Sequence, residues 1–293
     1  MSNTAAVLAF DFGASSGRAI RAVYDGQNLT YEEIHRFENV PIEKDGHLCW
    51  DVETLLKEIH TAIQKAGTFD SLGFDTWGVD FGLLDADGHL LANPVHYRDA
   101  RTNGKPEQAA ACMPAEELYA HTGNQIMAIN TLFQLLALRE QDPELLQKAE
   151  QILFMPDLFA ALLGAEPVCE RSIASTSQML DPRTGQWSRE VLAAYGLPEN
   201  CFAPIVASGT VTGTLANGAK IIAVAGHDTQ CASAAMPCAE EDAEHTAFLS
   251  CGTWSLLGTE LDAPILTVDS CQSGLSNELG ANGKINYLKN IIG

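Results

Sequence analysis

Leu8-Ala9-Phe10-Asp11-Phe12-Gly13-Ala14-Ser15-Ser16-Gly17-Arg18 is an apolar run that carries one acid, breaks at Gly13 and turns through small hydroxyl residues. It leaves through a second apolar run, Ala19-Ile20-Arg21-Ala22-Val23. This pattern predicts two strands joined by a tight tip. Glycine lets a backbone approach a ligand closely, and adjacent N–H groups form an anion nest, so such a tip suits phosphate. Two other phosphate loops do not fit. A dinucleotide fingerprint opens a helix with Gly-x-Gly, whereas position 15 is serine and a strand follows. A P-loop needs Gly-Lys-Ser/Thr, and Gly17 precedes Arg18. Asp11 stands where Mg²⁺ beside phosphates wants a carboxylate. An ordinary hairpin with a buried or capping aspartate explains the same residues equally well.

The 293 residues allow one large or two ordinary domains with a substantial core. With 17 basic and 38 acidic side chains the formal charge is −21, which argues against a nucleic-acid or anionic-membrane surface. A small anion held by backbone and metal remains compatible. Eight cysteines contain no Cys-x-x-Cys pair and several sit in apolar runs, as buried free thiols do. No signal peptide opens the chain and no apolar run is long enough to span a membrane, so a cytoplasmic location is expected.

After the hairpin, Leu29 to Phe37 reads as a third strand behind an Asp25-Gly26 turn. Asp51 caps a predicted helix that runs to Ala66 and closes at Gly67. Leu72 to Phe81 reads as a buried strand ending in a functional loop, with Asp75, Trp77, Gly78 and Asp80 close together, followed by a hairpin turning at 85–88. Turn or capping roles for the two aspartates stay open. Arg98 and Arg101 suit an anion, but a structural ion pair with Asp99 is the preferred expectation. Helices are predicted at 106–120, 131–140, 143–165 (interrupted at Pro156) and 188–195, with loops at 172–177 and 181–185.

Ile221 to Ala225 reads as a buried strand running directly into Gly226-His227-Asp228-Thr229, with a helix from Gln230 to Met236. In open α/β sheets, loops beyond strand carboxyl ends converge on the ligand. Asp228 is therefore either a site residue or a plain helix cap. An acidic run at 240–244 reads as a linker. Phe248 to Gly258 then repeats the opening grammar of apolar run, glycine, hydroxyl residue and apolar run. A degenerate internal duplication predicts two similar halves facing one ligand.

The stretches FDFGASSGR, IHRFEN, DTWGVDFGLLD, YRDARTNG, NTLFQL, MPDLF, GHDT, LSCGTWSLLG and LKNIIG occur in that order across nearly the whole chain. Together they resemble the FGGY family of carbohydrate kinases, and within it the members that act on L-rhamnulose. The resemblance implies an α/β chain with the actin-like ATPase (ribonuclease H-like) fold. It implies a complete first domain over 1–245 and the start of a second, similar domain over 246–293, which it expects to be cut short. It also implies phosphorylation of the L-rhamnulose 1-hydroxyl by ATP with Mg²⁺. By motif, Ala14, Ser15, Ser16, Gly17 and Arg18 would form the first phosphate loop, Thr253 would belong to a second, and Asp11 would organise Mg²⁺. Gly78, His227, Asp228, Thr229 and Asn290 would contact the sugar, with Trp77 beside them, and Asp228 would be the general base.

Three rivals remain. One is a family kinase for another ketose or polyol, such as fuculose or xylulose. Another is a ribonuclease H-like nuclease in which Asp11, Asp75 and Asp228 gather two metals, a reading the charge of −21 disfavours. The third, which does not contradict the family resemblance, is a non-catalytic nucleotide- or sugar-binding fragment with weak ATP affinity and little turnover.

Overall fold

The computed structural model describes residues 4–238, 242, 245–251 and 254–292. Strand β1 (Ala5–Phe12) pairs antiparallel with β2 (Ser16–Tyr24), placing Asp11 opposite Arg18 and Phe12 opposite Gly17. Strand β3 (Leu29–Glu38) continues the meander. At the tip, the Gly13 N–H donates to the Ser16 carbonyl at 2.9 Å. Helix α1 (Val52–Lys65) is capped by Asp51, whose side chain accepts from the Thr54 N–H, and it buries Val52, Leu55, Ile59 and Ala62. Gly67, at φ 66°, supplies the left-handed residue that ends it. This crossover delivers β4 (Ser71–Thr76) parallel to β1, with Asp75 beside Asp11. Strands β5 (Thr210–Thr214) and β6 (Lys220–Ala223) complete a sheet of order β5-β6-β4-β1-β2-β3, in which β6 is parallel to β4.

The alternating apolar residues of β1 give this sheet its core. Leu8, Phe10 and Phe12 are fully buried. Phe10 stacks on Phe74 at 4.8 Å, and Phe12 stacks on Phe159 of helix α2 (Met155–Leu162) at 4.9 Å. Each such ring contributes about 1.5–3 kcal/mol by leaving water.

Several expectations need correcting, among them the helix expected over 106–120, which is two helices, Lys105–Ala109 and Ala115–Thr122. The segment 143–165 is a helix (Pro143–Lys148), a strand (Gln151–Phe154) and α2. Pro156 starts α2 instead of interrupting a helix, because its fixed φ and missing N–H suit a first turn. The strand predicted over 72–81 ends at Thr76, and Phe81–Leu84 pairs chiefly with Gln151–Phe154. The predicted loop at 172–177 is a helical turn, Arg171–Ala174, followed by a 3₁₀ turn. Helix α3 (Asp228–Ala234) begins two residues before the expected Gln230.

A second, antiparallel sheet has the order β7-β8-β10-β9, from β7 (Phe248–Cys251), β8 (Trp254–Leu261), β9 (Ser276–Leu279) and β10 (Ile285–Ile292). The echoed hairpin is therefore real, while its tip at Gly252 and Thr253 and most of the acidic run lie outside the described residues. Several hydrogen bonds dock this sheet on the first body of the protein, three of them involving backbone N–H groups. The Asn277 N–H donates to the Gly123 carbonyl (2.8 Å), the Leu279 N–H to Ser175 Oγ (2.9 Å) and the Gln125 N–H to Ser276 Oγ (2.9 Å). Cys49, Cys169 and Cys201 are buried thiols. No helix among the described residues is long and apolar enough to cross a membrane.

Gly17 shows how tightly the hairpin is built. A Cβ there would lie 2.3 Å from the Phe37 ring, which itself packs edge-on against Phe12 at 5.2 Å. Gly17→Ala should cost about 1–3 kcal/mol in urea unfolding, and adding Phe37→Leu should restore part of that loss. A Gly17→Ala change within about 0.5 kcal/mol of the parent would contradict this packing.

Candidate functional site

Strands β1, β4 and β6 lie side by side and parallel, so their carboxyl ends share one edge. The chain leaves β6 through Gly226-His227-Asp228-Thr229. The Thr76 N–H donates to the Gly226 carbonyl at 2.9 Å, and Thr76 and His227 form a parallel bridge that stitches this loop to the end of β4. A Cβ on Gly226 would lie 2.8 Å from Pro156 Cγ and 3.2 Å from Ile173, so the close packing of the loop demands glycine. The Gly226 N–H donates to Glu170 Oε2 at 3.1 Å. Glu170 is buried, and the same oxygen also accepts from the Ser172 and Ile173 N–H groups, while the Ser208 hydroxyl donates to Oε1.

Between this loop, the hairpin tip and the second sheet lies a cavity of about 400 Å³. Gly13 and Ala14 line it from the tip, Trp77, Gly78 and Val79 from the loop after β4, and His227, Asp228 and Thr229 from the loop after β6. Ser250, Leu256 and Asn290, which are register partners across β7, β8 and β10, line the second sheet's side. Seven of the sequence-predicted residues thus meet here: Ala14, Trp77, Gly78, His227, Asp228, Thr229 and Asn290. Asp11, Ser15, Ser16, Gly17 and Arg18 flank the cavity without lining it, and Thr253 lies outside the described residues.

The hairpin tip is held by Asn39, a buried residue whose side-chain amide donates to the Gly13 carbonyl (2.9 Å) and whose N–H donates to the Ser15 carbonyl (3.0 Å). Arg18 donates through Nε (2.8 Å) and Nη2 (2.5 Å) to Asp11 Oδ2, so the residue expected on phosphate is paired with the one expected at the metal. Asp75, beside Asp11, has its carboxyl raised well above the usual range by burial and by the negative charges of Asp11 and Asp228. The hard carboxylate oxygens of Asp11 and Asp75, on paired positions of β1 and β4, fit Mg²⁺ chemically, although Asp11 is already paired with Arg18. They do not form one shared ligand set. The only described group of three whose ligand atoms all lie within 4.8 Å of one another is Asp85, Asp87 and His89, on the turn after Leu84.

His227 sits between two carboxylates, with Nε2 3.2 Å from Asp228 Oδ1 and Nδ1 3.3 Å from Glu278 Oε2. Burial pulls its pKa down, but the hydrogen bond to Glu278 and the charges of Asp228, Glu278 and Asp75 outweigh this and push it up to about 9. Asp228 Oδ1 also accepts the Thr229 N–H at 2.6 Å, while Oδ2 makes no hydrogen bond to the described residues. That leaves one carboxylate oxygen at the mouth of α3 free to take a proton. A Cβ on Gly78 would lie 3.3 Å from His227 Nε2, so a side chain there would crowd the ring.

The apolar wall is fixed by Asp80, one of the two aspartates of the candidate loop for which the sequence leaves a turn or capping role open. It is buried, and its Oδ2 accepts from Trp50 Nε1 (2.7 Å), Trp77 Nε1 (3.0 Å) and the Tyr97 N–H (3.1 Å), while Gln134 Nε2 donates to Oδ1 (2.9 Å). Val79 next to it holds φ 66°, a conformation costly for a β-branched residue; its carbonyl accepts from the Thr131 hydroxyl at 2.7 Å. The expected Asp99 ion pair with Arg98 or Arg101 is replaced. Asp99 accepts from His47 Nδ1 and the Leu48 and Arg101 N–H groups, Arg98 lies over the Tyr97 ring, and the Arg101 guanidinium reaches Gln134. Asn124, Gln125 and Glu278 carry no sequence motif that marks them. Gln125 Oε1 is 3.4 Å from Asn290 Nδ2, and Asn124 is buried in the cavity wall with its Oδ1 unpartnered.

Burial raises Asp80 to about 6 against its hydrogen bonds from Trp50, Gln134 and Trp77. Between an ordinary aspartate pKa of 3.8 and 6 the folded state then holds a proton that the unfolded state has released, so stability from this group falls as pH rises through that window. Urea unfolding of the parent and Asp80→Asn at pH 4.5 and 6.5 isolates this contribution. The parent should lose stability relative to the variant on going to the higher pH; an unchanged or opposite difference would contradict the assignment.

The model for the FGGY family of carbohydrate kinases, N-terminal domain, matches residues 6–234. The chain is 41% identical over 299 aligned positions to the rhamnulokinase of Bacteroides thetaiotaomicron, covering 98% of this chain and 61% of that protein. The chain thus spans about three fifths of that relative's length. Among solved structures, the xylulose kinase from Rhodospirillum rubrum superimposes with a TM-score of 0.80 at 15% identity, over 98% of this chain and 61% of that one. The gluconate kinase from Lactobacillus acidophilus gives 0.80 at 16%, over 98% and 59%. These likenesses establish the fold, the α/β actin-like ATPase fold of the sugar kinases. With a family model over most of its length, the chain belongs to the FGGY family of carbohydrate kinases.

Proposed function

We propose that this protein is the sugar-binding and catalytic part of an ATP-dependent kinase that converts L-rhamnulose to L-rhamnulose 1-phosphate. The observation that carries this reading is the convergence on one cavity of the glycine-rich hairpin tip and of Asp228, whose Oδ2 makes no hydrogen bond to the described residues. The similarity to a rhamnulokinase supports the choice of sugar. We further read residues 1–245 as a first actin-like domain and 246–293 as the opening of a second, on the strength of the repeated hairpin. The buried thiols of Cys49, Cys169 and Cys201 fit a cytoplasmic, reducing setting.

In this reading the sugar lies between Trp77 and Gly78 on one side and His227, Thr229 and Asn290 on the other. The attacking 1-hydroxyl faces Asp228. As its oxygen bonds to the γ-phosphorus, the bond from that phosphorus to the bridging oxygen of ADP breaks, and Asp228 Oδ2 takes the hydroxyl proton. Backbone N–H groups from Ala14 to Arg18, with Thr253 on the second loop, would cradle the phosphates. Their stabilisation of charge on the transferring group is electrostatic and pre-arranged. Asp11 and Asp75 would hold Mg²⁺, which supplies neutralisation of the phosphoryl oxygens when bound. A ribonuclease H-like nuclease finds less support, since Asp11, Asp75 and Asp228 are not gathered as one ligand set and the formal charge is −21.

Asp228→Asn should keep ketose affinity, read by calorimetry, and lower sugar-dependent ADP release by about 10²- to 10⁴-fold. Undiminished ADP release from that variant would overturn the role of Asp228. Titration with rhamnulose, fuculose and xylulose ranks the sugars, and tighter binding of either of the latter two would reassign the substrate.

A further inference from the structure

Glu278 comes from the second sheet, yet its carboxylate acts on the loop of the first. It is buried at 4% exposure, lines the cavity, and brings Oε2 within 3.3 Å of His227 Nδ1 while accepting from Gln230 Nε2 at 2.7 Å. Gln230 Oε1 in turn accepts from Asn286 Nδ2, and Asn286 is the register partner of Glu278 across β9 and β10. Asn286 Nδ2 also donates to Ser233 Oγ at 3.0 Å. Helix α3 is thereby fastened at Gln230 and Ser233 to two strands of the second sheet. No lysine or arginine pairs with Glu278 among the described residues; its charge is answered by His227. The far side of that ring meets Asp228 Oδ1 at 3.2 Å, so the imidazole bridges the two carboxylates.

We infer that Glu278 is the positioning residue of this site: through His227 it orients Asp228 and couples the second sheet to the chemistry at the end of β6. This rests on Asp228 being the base. A ring with both N–H groups donating fixes Asp228 Oδ1 and turns Oδ2 toward the cavity. Without Glu278, Nδ1–H loses its acceptor, and the ring is free to rotate away from Asp228. The other charged groups facing His227 are Asp75, from β4, and Asp228 itself, both acidic, so none of them substitutes as an acceptor on the Nδ1 side.

Two readouts separate this inference from the kinase reading. In the ¹⁵N-histidine spectrum at pH 7, with His227 assigned by its loss in His227→Asn, both ring nitrogens of the parent should carry protons. Glu278→Gln should give a singly protonated ring, and Glu278→Asp, which keeps the charge, should return part of the parent signal. A parent ring with one proton, or a Glu278→Gln spectrum identical to the parent, would overturn the inference whether or not the chain turns over. In sugar-dependent ADP release, Glu278→Gln should lower kcat about 10-fold or more with KM within about threefold, the mark of lost transition-state orientation. An equal kcat would contradict the coupling to Asp228. Absence of ADP release from the parent itself would count against the kinase reading alone, leaving the ring signature to decide the position of Glu278.

Discussion

Gly226 is the point on which the site depends. Its carbonyl accepts from Thr76 at the end of β4, its N–H donates to the buried Glu170, and its missing side chain lets it press against Pro156 and Ile173. Any larger residue would push the loop away from α2 and carry His227 and Asp228 with it. The buried Glu170 gathers the Ser172, Ile173 and Gly226 N–H groups at one oxygen, a charge-assisted arrangement that fixes the backbone more firmly than neutral acceptors would. The loop is thus set by the first body of the protein before any ligand arrives.

Around that fixed point the cavity divides by chemistry. One wall is aromatic and apolar, held by Asp80 through Trp77, Tyr97 and Gln134. The other carries His227, Asp228, Glu278 and Asn290. A sugar needs both kinds of surface: ring faces and alkyl carbons bury against the first, and hydroxyls bond to the second. The expensive features cluster here too, with a buried Asp80, a left-handed Val79 and a histidine between two carboxylates. Strain and perturbed charge at one place are the usual mark of a site, and here they coincide with the family's motif residues.

Local signals made much of this legible. The β1–β2 hairpin, the Asp51 cap and the Gly67 stop are written within a few residues of where they act, and structure matches them. Gln151-Ile152-Leu153-Phe154 was lost inside a helical pattern because a four-residue apolar run has no periodicity of its own. Asp80 is a candidate in the sequence but the bonds it gathers are not legible there, and Glu278 is not marked at all, for a different reason. Their partners, Trp50 and Gln134 for one and His227 and Gln230 for the other, lie 30 to 54 residues away, so only the folded chain reveals what they hold. Asp228 itself is recognisable as a candidate, but nothing local tells base from helix cap; its place on the cavity, with Oδ1 accepting from the Thr229 N–H, is visible only in the folded chain.

The most direct test of the whole picture is a crystal structure of the protein with L-rhamnulose and a non-hydrolysable ATP analogue. The sugar 1-hydroxyl should lie about 2.6–3.2 Å from Asp228, with the ring against Trp77 and the triphosphate at the Gly13–Gly17 tip. A sugar bound elsewhere, or one whose 1-hydroxyl turns away from Asp228 while the phosphates occupy the tip, would contradict it.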